Sequence, residues 1–284
     1  MIRPAAADDL AALRAFLAAR IETSMFLLGN LEAHGLCGAD HAHATAYWVA
    51  DADSGIAAVL GLTHDGFLLL QAPGIDAPLA RRMLDVVAGR RIKGITGAAD
   101  QVAVLRDALG WPATLWQLDE DQPLFRLDLA DLAAPPVELR HPVDGDRTLL
   151  ADWFATYMAQ TQTAPPGDLA KAARIRAEAA ITGTKVRLLI EDGRAVAMAA
   201  INARAGRAVQ VGGVFVPPAL RGAGRAGAMV AGLLAQDRAQ GAQVAILFAA
   251  SDAAARAYTR IGFQPVGCYH LALLKSPRDL GGAP

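Results

Sequence analysis

The chain has 284 residues, 54% of them hydrophobic and only 19% charged, with a formal net charge of −1. That is enough apolar material for two cores of ordinary size, and it supplies no basic field for nucleic acid. There is no run of 18 apolar residues to suggest a membrane span, and the opening MIRPAAADDL lacks a signal-peptide core. Two distant cysteines, Cys37 and Cys268, fit a reducing cytoplasm rather than a disulfide framework.

In the first half, Asp8 or Asp9 is placed to cap a helix running to Arg20, with Leu10, Leu13, Leu17 and Ile21 at helical spacing. A second helix is expected over Ser24–Glu32. Strand-like pieces follow at Thr45–Ala50, Gly55–Leu62 and Gly66–Gln71, with turns at Asp51–Gly55 and Thr63–Gly66. Helical spacing returns over Pro78–Ala88. Ile92–Thr96 reads as a strand and Asp100–Leu109 as a helix, and Leu115–Leu118 with Phe125–Leu129 as a final antiparallel pair. His34, Asp40, His41 and His43 form the sole histidine cluster. A His-x-His on a strand would present both rings to a metal, but no further ligand pattern accompanies it, so a polar loop and no metal are expected.

Asp128–Pro136 reads as a linker, because Pro135-Pro136 continues neither a helix nor a central strand. Val137–Arg140 restarts as a strand. Asp144 or Asp146 opens a helix carrying Leu149, Leu150, Trp153, Phe154, Tyr157 and Met158 along one stripe, and Asp168 caps another to Ala180. Lys185–Ile190 and Ala195–Ala203 are strands joined by a Glu191-Asp192-Gly193 hairpin. A third strand, Arg207–Val216, leads through Pro217-Pro218 and a turn into a helix over Ala228–Gln240. Val244–Ala249 is a strand, Ser251 caps a last helix ended by Gly262, and Phe263–Val266 and Tyr269–Leu274 finish the sheet. Residues after Ser276 read as a frayed tail. The order β-α-α-β-β-β-α-β-α-β-β occurs in both halves, a repeat of elements rather than of residues.

The stretch organising the second half is Val209–Gly227, VQVGGVFVPPALRGAGRAG. Gly212-Gly213 interrupts a valine-rich strand, as a bulge does. The turn from Arg221 is almost free of side chains, so its N–H groups and the following helix N-terminus suit phosphate. Gly222, Gly224 and Gly227 satisfy the dinucleotide fingerprint G-x-G-x-x-G, though late in the chain and separated from the strand by Pro217–Arg221. Arg221-Gly222-Ala223-Gly224-Arg225-Ala226 also fits [Q/R]-x-x-G-x-[G/A]. With Ser251, Ala254, Tyr258 and Gly262-Phe263 downstream, the segment Val209–Phe263 resembles the GNAT (GCN5-related N-acetyltransferase) superfamily. Ser251 departs from the Asn usual at its position.

The resemblance implies an α/β (α+β) fold of two tandem GNAT-like domains, each a mixed, mostly antiparallel central sheet flanked by helices. Residues 137–276 would be the catalytic domain and 1–132 a degenerate copy, since QAPGIDAPLARR stands there in place of VPPALRGAGRAG. It implies acetyl transfer from acetyl-CoA to a primary amine. Backbone groups of Gly222, Ala223, Gly224, Arg225, Ala226 and Gly227 would hold the pyrophosphate, and Val214, Phe215 and Val216 would pair with pantetheine. Ser251 would lie beside pantetheine or sulfur, or act as an N-cap, and Tyr258 would protonate the departing thiolate. Arg221 either adds charge or is a surface cation, and Trp153 and Tyr157 either line the acceptor pocket or are core. The base stays open: Gln210 cannot serve, Glu191, Asp252 and His270 have no positional warrant, and a water or an already neutral amine would suffice. The expected partner is a small-molecule amine or a protein N-terminus, with a homodimer allowed and neither nucleic acid nor membrane involved. The alternatives are a non-catalytic acyl-CoA sensor and a nucleotide-binding dehydrogenase using GAGRAG.

Overall fold

A computed structural model of the chain describes residues 2–36, 40–53, 55–164 and 167–281. The first elements are β1 (Ile2–Pro4), α1 (Leu10–Ala18), α2 (Ile21–His34), β2 (Thr45–Ala52), β3 (Gly55–Thr63) and β4 (Phe67–Gln71). There follow α3 (Ala77–Asp85), β5 (Arg91–Ala98), α4 (Ala99–Leu109), β6 (Trp116–Asp128) and β7 (Glu138–Arg140). The second half continues with α5 (Arg147–Gln160), α6 (Leu169–Thr182), β8 (Val186–Glu191), β9 (Arg194–Ala205) and β10 (Ala208–Phe215). It closes with α7 (Arg225–Ala239), β11 (Val244–Phe248), α8 (Asp252–Arg260) and β12 (Gln264–Asp279). Among the described residues no helix is long and apolar enough to cross a membrane.

The chain divides into two compact units, Met1–Gln122 with Gly267–Pro284, and Pro123–Val266. The division differs from the linker read at Asp128–Pro136, because two strands pass from one unit to the other. In the first unit the sheet runs β1-β2-β3-β4-β5 and is completed by Tyr269–Asp279 of β12. In the second it runs β7-β8-β9-β10-β11 and is completed by Leu124–Asp128 of β6. Each unit thus repeats one plan, antiparallel except for a single parallel pair, β4–β5 in one and β10–β11 in the other. The residue pattern explains the elements. Asp76, Asp168 and Ser251 each accept a backbone N–H from the first turn of their helix, as N-caps do. The stripe on α5 buries Leu150, Trp153, Phe154 and Met158 against α6 and the sheet.

Three sequence expectations are corrected. Leu115–Leu118 and Phe125–Leu129 are not two paired strands but the ends of the single strand β6. The polar residues between them stay extended because Arg106 of α4 pairs with Asp119, and His270 meets Asp119 at 3.0 Å and Asp121 at 2.6 Å. Phe263–Val266 and Tyr269–Leu274 likewise merge, Phe263 excepted, into β12. Residues 278–280 are no frayed tail: Arg278 and Asp279 pair with Ile92 and Arg91, and Leu280 is buried with its N–H on the Arg90 carbonyl.

The first unit also shows why its helix after β4 is unlike its counterpart. Asp76 caps α3 with a carboxylate, where an anion would be repelled. The Gln101 side chain accepts the Ala72 N–H at 2.6 Å, and Gln71 takes the hydroxyls of Thr23 and Ser24. The end of β4 is hydrogen-bonded from within.

Candidate active site

The candidate site lies in the second unit, where β10 leaves β11. The parallel ladder joins Ala208–Gln210 to Val244–Ile246 and stops there. On the other side, the register with β9 shifts between Gln210 and Val211 and again between Gly212 and Phe215. Gly213, at φ +60°, makes the second break. The Gly212-Gly213 pair is therefore a bulge, as its place in a valine-rich strand suggests. Beyond it, Val214, Phe215 and Val216 have no ladder partner on the β11 side. The Phe215 ring turns into the core against Trp153, at 5.8 Å between centroids, so only its backbone is offered to a ligand.

A short 3-10 turn, Pro218–Leu220, leads to the glycine loop. Gly222 and Gly224 have φ of +90° and +73°, a left-handed backbone that side chains disfavour. A Cβ at either would meet nothing within 4 Å, so the space before the helix is open. Gly224 is the N-cap of α7, and the first N–H groups of that helix have no partner within it. Gly227, one turn in, lets the helix approach Ile261 and the Ala257 carbonyl of α8.

Both arginines of the loop are occupied. Arg221 donates to the Val216 carbonyl at 2.9 Å and to Gln160 at 2.7 Å, so it braces the loop and is not a free surface cation. Arg225 donates to Glu191 at 2.6 and 2.8 Å and to the Leu220 carbonyl at 2.8 Å. Arg225 and Ala226 therefore offer a ligand their backbone, as Ala223 does with its single methyl. Of the three base candidates, Glu191 is tied up in that ion pair. Asp252 opens α8 as its first residue, and His270 belongs to the other unit, held by its aspartates. Ser251 accepts the Ala254 N–H at 3.3 Å, so its side chain is an N-cap.

Tyr258 reaches in from α8. It is buried, its ring 6.1 Å from Phe263, and burial followed by the nearby Tyr157 pushes its phenol well above the ordinary value. It stays protonated at any physiological pH and keeps a proton to give. Tyr157 comes from α5, and burial raises this phenol too. The sequence placed Trp153 and Tyr157 on one stripe without separating their roles. In the structure Trp153 is core, and Tyr157 packs, partly buried, against the same cluster. Among the described residues no group of three or more His, Cys, Asp or Glu is placed to hold a metal, and His34, His41 and His43 pack ring on ring at 4.3 and 5.3 Å. Cys37 lies outside the described residues, and Cys268 is a free, exposed thiol. The dehydrogenase alternative loses its scaffold, because the glycine loop follows the third strand of an antiparallel meander and not the first strand of a doubly wound parallel sheet.

Comparison with known proteins agrees with this geometry. Residues 148–263 match the model of the acetyltransferase (GNAT) family. No curated protein matches the sequence. Among solved structures, a GCN5-related N-acetyltransferase from Kribbella flavida is 21% identical, with 93% of this chain and 96% of that one covered and a TM-score of 0.56. A Drosophila protein is 13% identical over 96% of this chain and 98% of its own, with a TM-score of 0.62. A tandem GNAT protein from the clavulanic acid biosynthesis pathway is 14% identical over 100% and 99%, with a TM-score of 0.55. At these identities the likeness is one of fold, and it extends over both units.

Proposed function

We propose that the chain, whose residues 148–263 match the model of the acetyltransferase (GNAT) family, moves an acetyl group from acetyl-CoA directly to a primary amine, with this segment lying in the second of two tandem GNAT-like domains. The observation that carries the reading is the open, side-chain-poor loop Gly222–Gly227 at the N-terminus of α7. Its N–H groups and the helix dipole suit the diphosphate of CoA. Val214–Val216, unpaired on one edge, suit the amide groups of pantetheine as an added strand, with Ser251 at the mouth of the neighbouring helix. Tyr258 is the general acid: the C–S bond breaks as the amine adduct collapses, and the sulfur takes the phenol proton. The surplus proton of the attacking amine passes to water, since Glu191 is engaged by Arg225.

The acceptor is a small-molecule amine or a protein N-terminus, and the site of work is the cytoplasm, on the strength of the cysteine usage. The first unit, with Asp76 capping α3, holds no donor in this reading. Calorimetry with acetyl-CoA and with NAD, followed by an amine panel scored by free-thiol release, tests it. Saturable acetyl-CoA binding with amine-dependent thiol release is expected. Binding without acetylation of any amine would favour an acyl-CoA sensor, and NAD binding alone would end the proposal.

A further inference from the structure

The open edge of β10 is held from α5 at two points. Trp153 and Gln160 stand on one stripe of that helix, at i and i+7. Trp153 packs on the Phe215 ring, at 5.8 Å between centroids. Gln160 accepts a hydrogen bond from the Arg221 guanidinium at 2.7 Å. The same guanidinium donates from Nε to the Val216 carbonyl at 2.9 Å and lies 5.9 Å from the centroid of the Phe215 ring. Arg221 therefore joins a side chain of α5 to the last carbonyl of the edge, across the ring that lies between them.

That junction is the strap on Val216. The pairing of β10 with β11 stops at Gln210, and its pairing with β9 ends at Phe215 with Met198. Pro217, next in the chain, has no N–H to offer a ladder. The end of α5, by contrast, is a fixed point. The Thr161 hydroxyl donates to the Tyr157 carbonyl at 2.9 Å and meets the Thr163 hydroxyl at 2.8 Å. The Thr163 N–H bonds to the Met158 carbonyl at 3.0 Å. Gln162, between the two threonines, has φ of +54°, a left-handed backbone ordinarily left to glycine. Such a backbone persists where its surroundings determine it.

We propose that Gln160 is a positioning residue for the donor: through Arg221 it holds the Val216 carbonyl, and so keeps Val214–Val216 extended for pantetheine. The proposal rests on the acetyl-transfer reading above. Coupling between two places is reciprocal, so pantetheine paired along the edge steadies the end of α5 in return. The diphosphate does not depend on Gln160. It is met by the N–H groups of Gly222–Gly227, beyond Arg221, where Gly222 and Gly224 set the backbone by their own left-handed φ.

The test needs no knowledge of the acceptor. Calorimetry on the full chain compares CoA with adenosine 3′-phosphate 5′-diphosphate, which keeps the diphosphate and lacks pantetheine. The wild type is expected to bind CoA the more tightly. In Gln160→Leu, CoA should bind about 3–10-fold more weakly, the usual effect of losing one exposed hydrogen bond, while the truncated nucleotide is unaffected. Gln160→Glu, which still accepts from Arg221, should bind CoA as the wild type does. Amide hydrogen exchange at Thr161 and Thr163 supplies a readout that a merely structural side chain would not move. CoA should slow it in the wild type and in Gln160→Glu but not in Gln160→Leu, and the nucleotide should slow it in none of the three. Equal weakening of both ligands in Gln160→Leu, weakening of neither, or exchange slowed alike in all three proteins overturns the role of Gln160 and leaves the acetyl-transfer reading standing. A wild type that binds both ligands equally well has the same consequence. Failure of the wild type to bind CoA at all removes both.

Discussion

Replacing Gly224 by alanine isolates one physical quantity. The residue sits at φ +73°, and a Cβ there would touch nothing within 4 Å, so the substitution introduces backbone strain without a clash. Holding an L-residue with a Cβ in the left-handed region costs about 1–2 kcal/mol. That energy must appear in one of two places. If the loop keeps its shape, the protein loses it as stability, and the melting temperature falls by about 2–8 °C at about 2–4 °C per kcal/mol for a domain of this size. If the loop relaxes, the N–H groups no longer converge and acetyl-CoA binding weakens by about 5–30-fold. The two losses should sum to the strain energy. Asparagine, which tolerates this region better, should lose less. Calorimetric titration with acetyl-CoA and a thermal melt on the same preparations read both terms. If Gly224→Ala changes neither, the loop is not held in this conformation and does not bind the donor.

Tyr258→Phe should lower kcat by about 10²–10⁴-fold while leaving CoA affinity intact; full turnover by this variant would show that the thiolate finds its proton elsewhere. All four tyrosines, Tyr47, Tyr157, Tyr258 and Tyr269, have phenols raised by burial. The folded state therefore holds their protons above pH 10, where an unfolded chain begins to release them. Stability should be level below the unfolded value of about 10 and decline as pH climbs past it. Phenolate absorbance at 295 nm should be weaker in native than in unfolded protein at pH 10.5 and rise on unfolding; a native titration near pH 10 matching that of the unfolded chain would contradict the burial. Leu280→Ala, removing a fully buried side chain near the end of the chain, should cost about 2–5 kcal/mol in a denaturant melt, whereas a loose tail would register nothing.

Local chemistry made most of this fold legible. Asp168 and Ser251 announced their helices, Glu191-Asp192-Gly193 its hairpin, and the spacing of Val209, Val211, Val214 and Val216 around two glycines the bulged strand. These signals act within a few residues of one another. What escaped was set by partners far away in sequence. Asp119–Pro123 looks like a turn until Arg106 and His270 are seen to hold it straight, and His270 stands 149 residues from Asp121. Leu280 looks like a tail until Arg90 is found beside it. In the site, the glycine loop could be read directly because backbone geometry there depends on the local residues. The roles of Arg221 and Arg225 could not, because each depends on where a long side chain finds its partner: Gln160 and Glu191.

The two exchanged strands bear on how the molecule is made. A ribosome releases β1 to β5 first, yet the segment that closes the sheet beside β5 emerges only after the whole second unit has been made. Throughout translation that edge, with its open row of amides, has nothing of its own to pair with and invites intermolecular pairing. Severing the chain at the Pro135-Pro136 pair would fix the nascent chain's predicament permanently: the amino-terminal piece would carry a strand it cannot use and lack the one it needs, and the other piece would be left with the converse.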